Sequence, residues 1–500
     1  CAILPLALTA CVTYPDISQS RSPCRMEPGG WCGFVREAAV EAWPFAVAAT
    51  NAYTGDHDVF AELGATLARL ERLEAEMQQL RADLAAARED QAEADTRTQE
   101  ALASVTAQNA EVATRVAAAE TARPKTENGF TVGATRFTLG GYVRVNAIAS
   151  RWSEGDVGVG ALGKEFYLPQ HIPVGDAPSS TDMTMMARQT RFSLGAATPV
   201  GDKEIKGYLE FDFALATAPA GAQRATNPYT PTLRRAFLQY DHWLIGQEWS
   251  TFQNTAVLPE STDFAGPIEG TVFNRQTQIR YTTRLSPGVE LAVALENPQT
   301  EILSSASPGY LDLDEDRLPD LVGRLNWTNS LGSFTLAGIV RELRSELGGD
   351  KHTAAGWGIS GSGKIPFGPD NRHDLRFMAT YGQGIGRYLG LGFVGDVMQP
   401  QAGDDLAVID NFAALAALKL GWGGTLRSTF TGGYQSADYP SGLLVHDMAN
   451  KRAWSAAANL FWAPVEHFDV GIEYRHALRE TVSGADGALD RMEFAAKYSF

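Results

Sequence analysis

Arginine is the residue type with the clearest chemical potential in this sequence, because it recurs where apolar and polar residues alternate. Between residues 137 and 151, for example, Val143 and Val145 flank Arg144. If the apolar face of each such segment is turned outward, the opposite face carries a polar set: Arg144, Arg191, Arg235, Gln239, Gln276, Gln278, Arg280, Arg284, Asp320, Arg324, Asn326, Arg341, Lys364 and Arg376. Guanidinium groups bind carboxylates through paired hydrogen bonds, so a passage lined in this way favours small anions. The alternative is that mixed charges only keep the passage hydrated.

The alternation itself predicts transmembrane β-strands, because the lipid-facing side of a membrane barrel uses every second residue. Along the chain it predicts sixteen strands, near residues 137–151, 183–198, 202–216, 231–241, 242–250, 274–284, 288–297, 318–328, 332–344, 353–367, 373–387, 411–421, 424–437, 452–464, 467–478 and 488–500. Connections in the first half of this set alternate between very short and long, which is typical of an up-and-down outer-membrane barrel. We therefore expect residues 137–500 to form an all-β transmembrane barrel of sixteen antiparallel strands, wide enough for an aqueous channel. A soluble sandwich is the weaker alternative.

Composition agrees with this fold class. The 500 residues include 44% hydrophobic and 20% charged residues, with a net charge of −17, which argues against disorder and against nucleic-acid binding. No stretch approaches the roughly 18 consecutive apolar residues that a transmembrane helix needs. The chain ends in Phe500, and a terminal strand that ends in an aromatic residue resembles the sorting signal of outer-membrane barrels.

Residues 1–55 contain all four cysteines and are predicted to be a signal remnant or tether. The stretch Leu8–Cys11 resembles the lipobox of bacterial lipoproteins, which predicts lipidation at Cys11. An ordinary signal remnant and a mature, lipidated Cys1 are the alternatives.

The composition of residues 56–123 differs from that of the preceding segment and is rich in Ala, Glu, Gln, Arg and Leu. Leu63, Leu70, Met77 and Leu84 recur every seven residues, as expected for a coiled coil that drives self-association in the periplasm. A single amphipathic helix packed on another surface is the alternative. Residues 124–136 are predicted to be a linker to the barrel.

Several segments resemble the DcaP-like porins: GGYVRVNA at residues 140–147, RRAFLQYDHWLIGQEWSTF at 234–252, NRQTQIRYT at 274–282 and DEDRLPDLVGRL at 314–325. The resemblance extends over about residues 60–500. It implies a homotrimer of outer-membrane barrels, associated through the barrel and the coiled coil, that passes small anionic solutes such as dicarboxylates. The resemblance implies a pore-lining role most directly for Arg144, Arg235 and Arg280.

The third long loop, residues 251–273, carries Glu260, Asp263 and Glu269. In general porins this loop folds into the channel as the constriction, so these carboxylates are expected to face the arginines across the pore. The alternative is a surface loop.

We expect no enzyme activity, because no Gly-x-Ser-x-Gly elbow precedes a helix. We also expect no cofactor and no metal site, since the histidines are scattered without ligand spacing. The favoured function is passive diffusion of small anionic solutes through an outer-membrane porin surrounded by lipid. The alternative is an envelope-organising structural protein whose coiled coil binds a periplasmic partner.

Overall fold

The computed structural model describes residues 129–500, except 216–225, 306–308, 313–314, 348, 400 and 402–403, and also part of residues 64–91. The described residues between 64 and 91 are helical and exposed. Residues 1–55 with Cys11, and most of the predicted coiled coil at 56–123, lie outside the described residues and stay predictions. The chain divides into two compact units, residues 1–124 and 125–500.

The second unit is a closed antiparallel barrel of 16 strands, which confirms the predicted barrel. The strands are β1 Thr135–Trp152, β2 Ser180–Met186 continued as Arg191–Val200, β3 Lys203–Asp212, β4 Thr232–Tyr240, β5 Trp243–Trp249, β6 Arg275–Ser286, β7 Val289–Glu296, β8 Asp320–Asn329, β9 Gly332–Ser345, β10 His352–Phe367, β11 His373–Gln383, β12 Asp410–Gly421, β13 Leu426–Asp438, β14 Asn450–Val465, β15 Phe468–Thr481 and β16 Asp486–Ser499. Each strand pairs with its neighbours in sequence, and β16 pairs with β1 from Ser499 opposite Tyr142 to Leu489 opposite Trp152. Closure therefore leaves no edge strand.

Side chains alternate between the two faces of the wall as the sequence pattern predicts. On β1, Val143 and Val145 are exposed on the outer face, whereas Asn146 is buried on the inner face. Near the long-loop ends of β10–β15 the outer face carries a row of exposed aromatic side chains: Trp357, Tyr381, Phe412, Tyr434, Trp454 and Tyr474. Such a row is the aromatic girdle that a membrane barrel places at the boundary of the hydrocarbon. No helix among the described residues is long and apolar enough to cross a membrane.

Short and long connections separate to opposite ends of the barrel. Three long loops turn inward at the long-loop end: L1 (residues 153–179), L3 (residues 250–274) and L6 (residues 384–409). L3 and L6 are joined where Val272 bridges Leu389, and the Phe273 amide donates to the Tyr388 carbonyl at 2.8 Å. L1 joins L3 where the Tyr167 amide donates to Asp263 at 2.7 Å. The interlocked loops fill part of the barrel at this end.

Local departures from the predicted elements have identifiable causes. Gly129–Val132, predicted to belong to a linker, forms a short strand that turns back onto the start of β1 through Gly133, whose positive φ of 59° suits the turn. The predicted strand at 373–387 ends at Gln383, because the chain turns into L6. Two short strands of the loop after β7, Glu301–Leu303 and Tyr310–Asp312, join Val397–Met398 and Ala407–Val408 of L6 in a separate four-stranded sheet.

Candidate pore constriction

L3 leaves β5 at Ser250 and follows the inner wall of the barrel. Near its start, the Asn254 side chain donates to Thr335 on β9 and to Ser362 on β10, each at 3.0 Å. Further along, the Thr262 carbonyl accepts from Asn146 on β1 at 3.1 Å. The loop therefore reaches from one sector of the wall to another and lies inside the barrel.

The three loop carboxylates bind the wall that L3 runs along. Glu260 receives a forked contact from Arg427 on β13, with Nε–Oε2 at 2.8 Å and Nη2–Oε1 at 2.6 Å. Lys419 on β12 lies 3.8 Å from the same carboxylate. Asp263 accepts from the loop amides of Ala265 and Gly266, at 2.9 and 3.1 Å, and lies 3.9 Å from Arg491 on β16. Glu260 and Asp263 thus attach L3 to the wall beside it.

Glu269 is completely buried between L3 and the wall. Its Oε1 accepts from the Ser455 hydroxyl at 2.5 Å. Burial raises the pKa of the Glu269 carboxyl, and the nearby Arg475 opposes this rise in part. The approach depends on Gly433 of β13, because a Cβ there would lie 2.5 Å from Glu269 Oε1.

Three arginines predicted to line the pore reach the main chain of L3. Arg324 on β8 donates to the Gln253 carbonyl at 2.9 Å. Arg376 on β11 donates to the Leu258 carbonyl and is also paired with Asp374 at 2.5 Å. Arg144 on β1 donates to the Thr262 carbonyl.

A second group of arginines lies on β2 and β4, paired with inward carboxylates. Arg191 lies 3.3 Å from Asp212, and Arg235 contacts Glu248 through Nε at 2.7 Å and Nη2 at 2.6 Å. The neighbouring Arg234 also turns inward and contacts Glu210 at 2.9 Å. A register shift after Glu210, where Arg235 faces Glu210 but Leu233 faces the next residue, brings both adjacent arginines to the inner side.

The other predicted pore residues differ in how far they reach the lumen. Arg280 lies on the inner face of β6 and forms no ion pair with the described part of the chain. Arg341 is fully buried between Asp320 at 3.3 Å and Asp396 at 3.0 Å, beneath L6. The remaining members are placed as follows: Gln276 and Gln278 are buried under L3 and L6, Lys364 lies 3.7 Å from Asp374, Asn326 hydrogen-bonds Thr335, and Gln239 and Arg284 are exposed toward the short-turn end.

Several inward charged residues are absent from the predicted set, among them Arg234, Lys419, Arg427 and Lys497. The last three follow the period-two alternation of their strands, so parity alone identifies them. Lys497 lies 3.4 Å from Asp469, which also pairs with Arg427 at 2.6 Å. Arg234 has no such signal, because its direction depends on the register shift.

No group of three or more His, Cys, Asp or Glu side chains in the described residues is arranged to hold a metal ion. The inner surface offers guanidinium and ammonium groups, and carboxylates that are mostly paired with them. An arrangement of this kind attracts and orients small charged solutes in water.

Residues 108–500 match the sequence profile described as DcaP outer membrane protein. The chain belongs to the DcaP family. This result confirms the resemblance found in the sequence. The fold is similar to the crystal structure of the outer membrane channel DcaP of Acinetobacter baumannii, with 26% sequence identity, a TM-score of 0.63, and coverage of 74% of this chain and 99% of that chain. The DcaP family and the barrel together identify a porin of the outer membrane.

More distant similarities extend to other outer-membrane barrels. The outer-membrane expressed OmpT of Vibrio cholerae matches with a TM-score of 0.47 and 12% identity, over 74% of this chain and 100% of that chain. OmpF of Salmonella typhi, solved in complex with daunomycin, matches with a TM-score of 0.42 and 13% identity, over 73% of this chain and 98% of that chain. No curated protein sequence matches.

Proposed function

We propose that this DcaP-family porin lets small hydrophilic solutes diffuse passively across the outer membrane, with a preference for anions. The supporting observation is that three inward arginines, Arg144, Arg280 and Arg324, form no ion pair with any described carboxylate. Arg144 and Arg324 donate to neutral carbonyl oxygens of L3 and not to carboxylates. Unpaired cations beside a water-filled passage favour anion entry.

We infer further that the preferred anions carry two carboxylates. Arg280 on β6 pairs in register with Ala294, and Arg324 on β8 pairs with Ala292, so the two arginines flank β7. Ala292 and Ala294 are short and buried, and Glu290 and Glu296 lie beyond them on the same face of β7. Two guanidinium groups on either side of this strand suit a solute with an anionic group at each end.

Liposome swelling tests this proposal with reconstituted protein and solutes of matched size. We expect faster swelling with a short dicarboxylate than with a neutral sugar, and we expect R280Q and R324Q to lower that ratio. R151Q is the matched control, because Arg151 lies on the outer face of β1 and its loss removes the same charge outside the lumen. Equal swelling rates for the two solutes, or an equal loss in R151Q, would contradict the proposal.

We also propose that the barrel forms a homotrimer through the wall that includes β1 and β2. The aromatic girdle at the long-loop end supports this: it follows β10–β15, whereas the same end of β1–β9 shows no exposed Trp or Tyr within the described residues. Exposed Met183 and Met185 lie there instead. A wall that contacts another subunit rather than lipid has no need of an interfacial girdle. Native mass spectrometry in detergent tests the proposal, and a monomer that conducts normally would contradict it.

A further inference from the structure

We propose that Arg324, Arg376 and Arg144 form a carbonyl clamp that sets the position of L3, and hence the width of the channel. The inference takes the proposed channel as its setting. It adds a second role to the solute attraction proposed for Arg144 and Arg324, because through the loop these side chains also set how much room the solute has. They are positioning residues.

The geometry of the clamp is regular along L3. Arg324, Arg376 and Arg144 come from strands β8, β11 and β1, well separated around the barrel. Their acceptors are the main-chain carbonyls of Gln253, Leu258 and Thr262, in that order. The attachment points are thus distributed over residues 253–262. The order of the acceptors along L3 is the same as the order of β8, β11 and β1 around the barrel.

Apart from the arginines, two wall asparagines donate to main-chain carbonyls of this part of L3: Asn146 to Thr262 at 3.1 Å and Asn459 to Glu260 at 2.8 Å. Between Gln253 and Thr262 the loop contains a single 3-10 turn, Thr255–Val257, and no strand. Main-chain carbonyls inside a protein need donors, and a charged donor forms a stronger hydrogen bond than a neutral one. Arginines from the wall supply those donors at three places.

The clamp also differs from the carboxylate attachments of L3. Glu260 and Glu269 hold the loop through ion pairs and hydrogen bonds that salt and pH can alter. The clamp uses neutral carbonyl acceptors, which do not titrate. It therefore holds L3 while leaving the positive charge of Arg144 and Arg324 directed at the channel.

A spin label on L3 tests the clamp without requiring conduction. The label is attached to A256C in the full chain with its four native cysteines replaced by serine; Ala256 is exposed. The variants R324Q, R376Q and R144Q each remove one donor, and R280Q removes an equal charge from a side chain that forms no hydrogen bond with the described residues of L3. Because a hydrogen bond from a charged donor is stronger than one from a neutral donor, losing one should raise the mobile fraction of the label by at least about tenfold. R280Q should leave it unchanged.

Lysine variants and single-channel recordings separate the clamp from bulk charge. R324K and R376K keep a charged donor and should restore part of the immobile signal, whereas glutamine should not. Unitary conductance in symmetrical salt should change more in the clamp variants than in R280Q. Folding is checked by the heat-dependent gel mobility of the barrel, and each of the three sites provides an independent test.

The outcomes distinguish this inference from the proposed function. Wild-type label mobility in folded R324Q, R376Q and R144Q would overturn the clamp, whatever the selectivity of the channel. An unchanged reversal potential in R280Q and R324Q would instead count against the anion proposal and leave the clamp standing. Equal mobility gains in R280Q would also overturn the clamp, since the effect would then follow charge alone.

Discussion

Arg427 on β13 holds Glu260 of L3 in a forked ion pair, with its Nη2 2.6 Å from Oε1 and its Nε 2.8 Å from Oε2. The same guanidinium contacts Asp469 on β15 at 2.6 Å, so one side chain links two strands to the loop. The acids of L3 are therefore bonded to the wall that the loop follows, whereas Arg280 remains unpaired.

The Arg427–Glu260 pair should show measurable coupling. Both side chains keep about a fifth of their surface exposed, so we expect a coupling free energy of roughly 1 kcal/mol in a double-mutant cycle of R427Q and E260Q. Urea unfolding in lipid vesicles measures it. A coupling of zero would show that the pair does not hold L3.

Gly433 should tolerate no side chain. Its Cβ would lie 2.5 Å from Glu269 Oε1, so G433V should displace L3, lower the free energy of unfolding by about 1–3 kcal/mol and change the unitary conductance. The adjacent Gly432 is a matched control, because the nearest atom to its Cβ is the Ser455 carbonyl oxygen at 3.8 Å. If G432V is as disruptive as G433V, the effect does not arise from Glu269.

The docking of L3 should weaken as pH rises above the ordinary carboxyl range. Burial raises the pKa of Glu269 above its usual value of 4.5, so the folded protein binds this proton more tightly than the unfolded chain does. Its contribution to stability is then fully present below about pH 4.5 and is lost as pH rises through the raised pKa. The difference in stability between wild type and E269Q, measured across pH, isolates this group. A difference that does not change with pH would refute the assignment.

Arg341 should matter for stability rather than for transport. It is completely buried between Asp320 and Asp396, so R341M would leave Asp396 without its ion pair and Asp320 with only Arg387 at 3.7 Å, at a cost of about 3–5 kcal/mol. R284Q is the control, since Arg284 is exposed and forms no ion pair with the described residues. Chemical denaturation compares the two. Equal stability of both variants would contradict the buried role.

Period-two alternation was sufficient to locate the strands and the inward direction of Arg144, Arg280 and Lys364. It could not separate residues that face open lumen from those that are covered, because burial of Arg341 depends on L6 folding inward. Nor could it locate Arg234, whose direction depends on one register shift. One sequence feature does indicate that a loop folds inward, namely the apolar run Phe166–Leu168. Three consecutive apolar residues in a long connection need a covered site, and all three are buried.

The sequence could not predict the partners of the L3 acids, for a different reason. Glu260 and Arg427 are far apart in the chain, and their pairing depends on the path of a loop without regular structure. The sequence supplied the right charges, but their arrangement across the barrel follows from tertiary contacts. That the L3 acids face Arg280 across the pore stays a prediction. For Glu260 the structure shows an ion pair with Arg427, on the wall beside the loop.

The reversal potential of the reconstituted channel under a salt gradient tests the central claim most directly. The account predicts a potential of the sign that anion preference requires, which moves toward zero in R280Q and R324Q and stays at the wild-type value in R151Q. A potential of the opposite sign in the wild-type protein, showing cation preference, would contradict it.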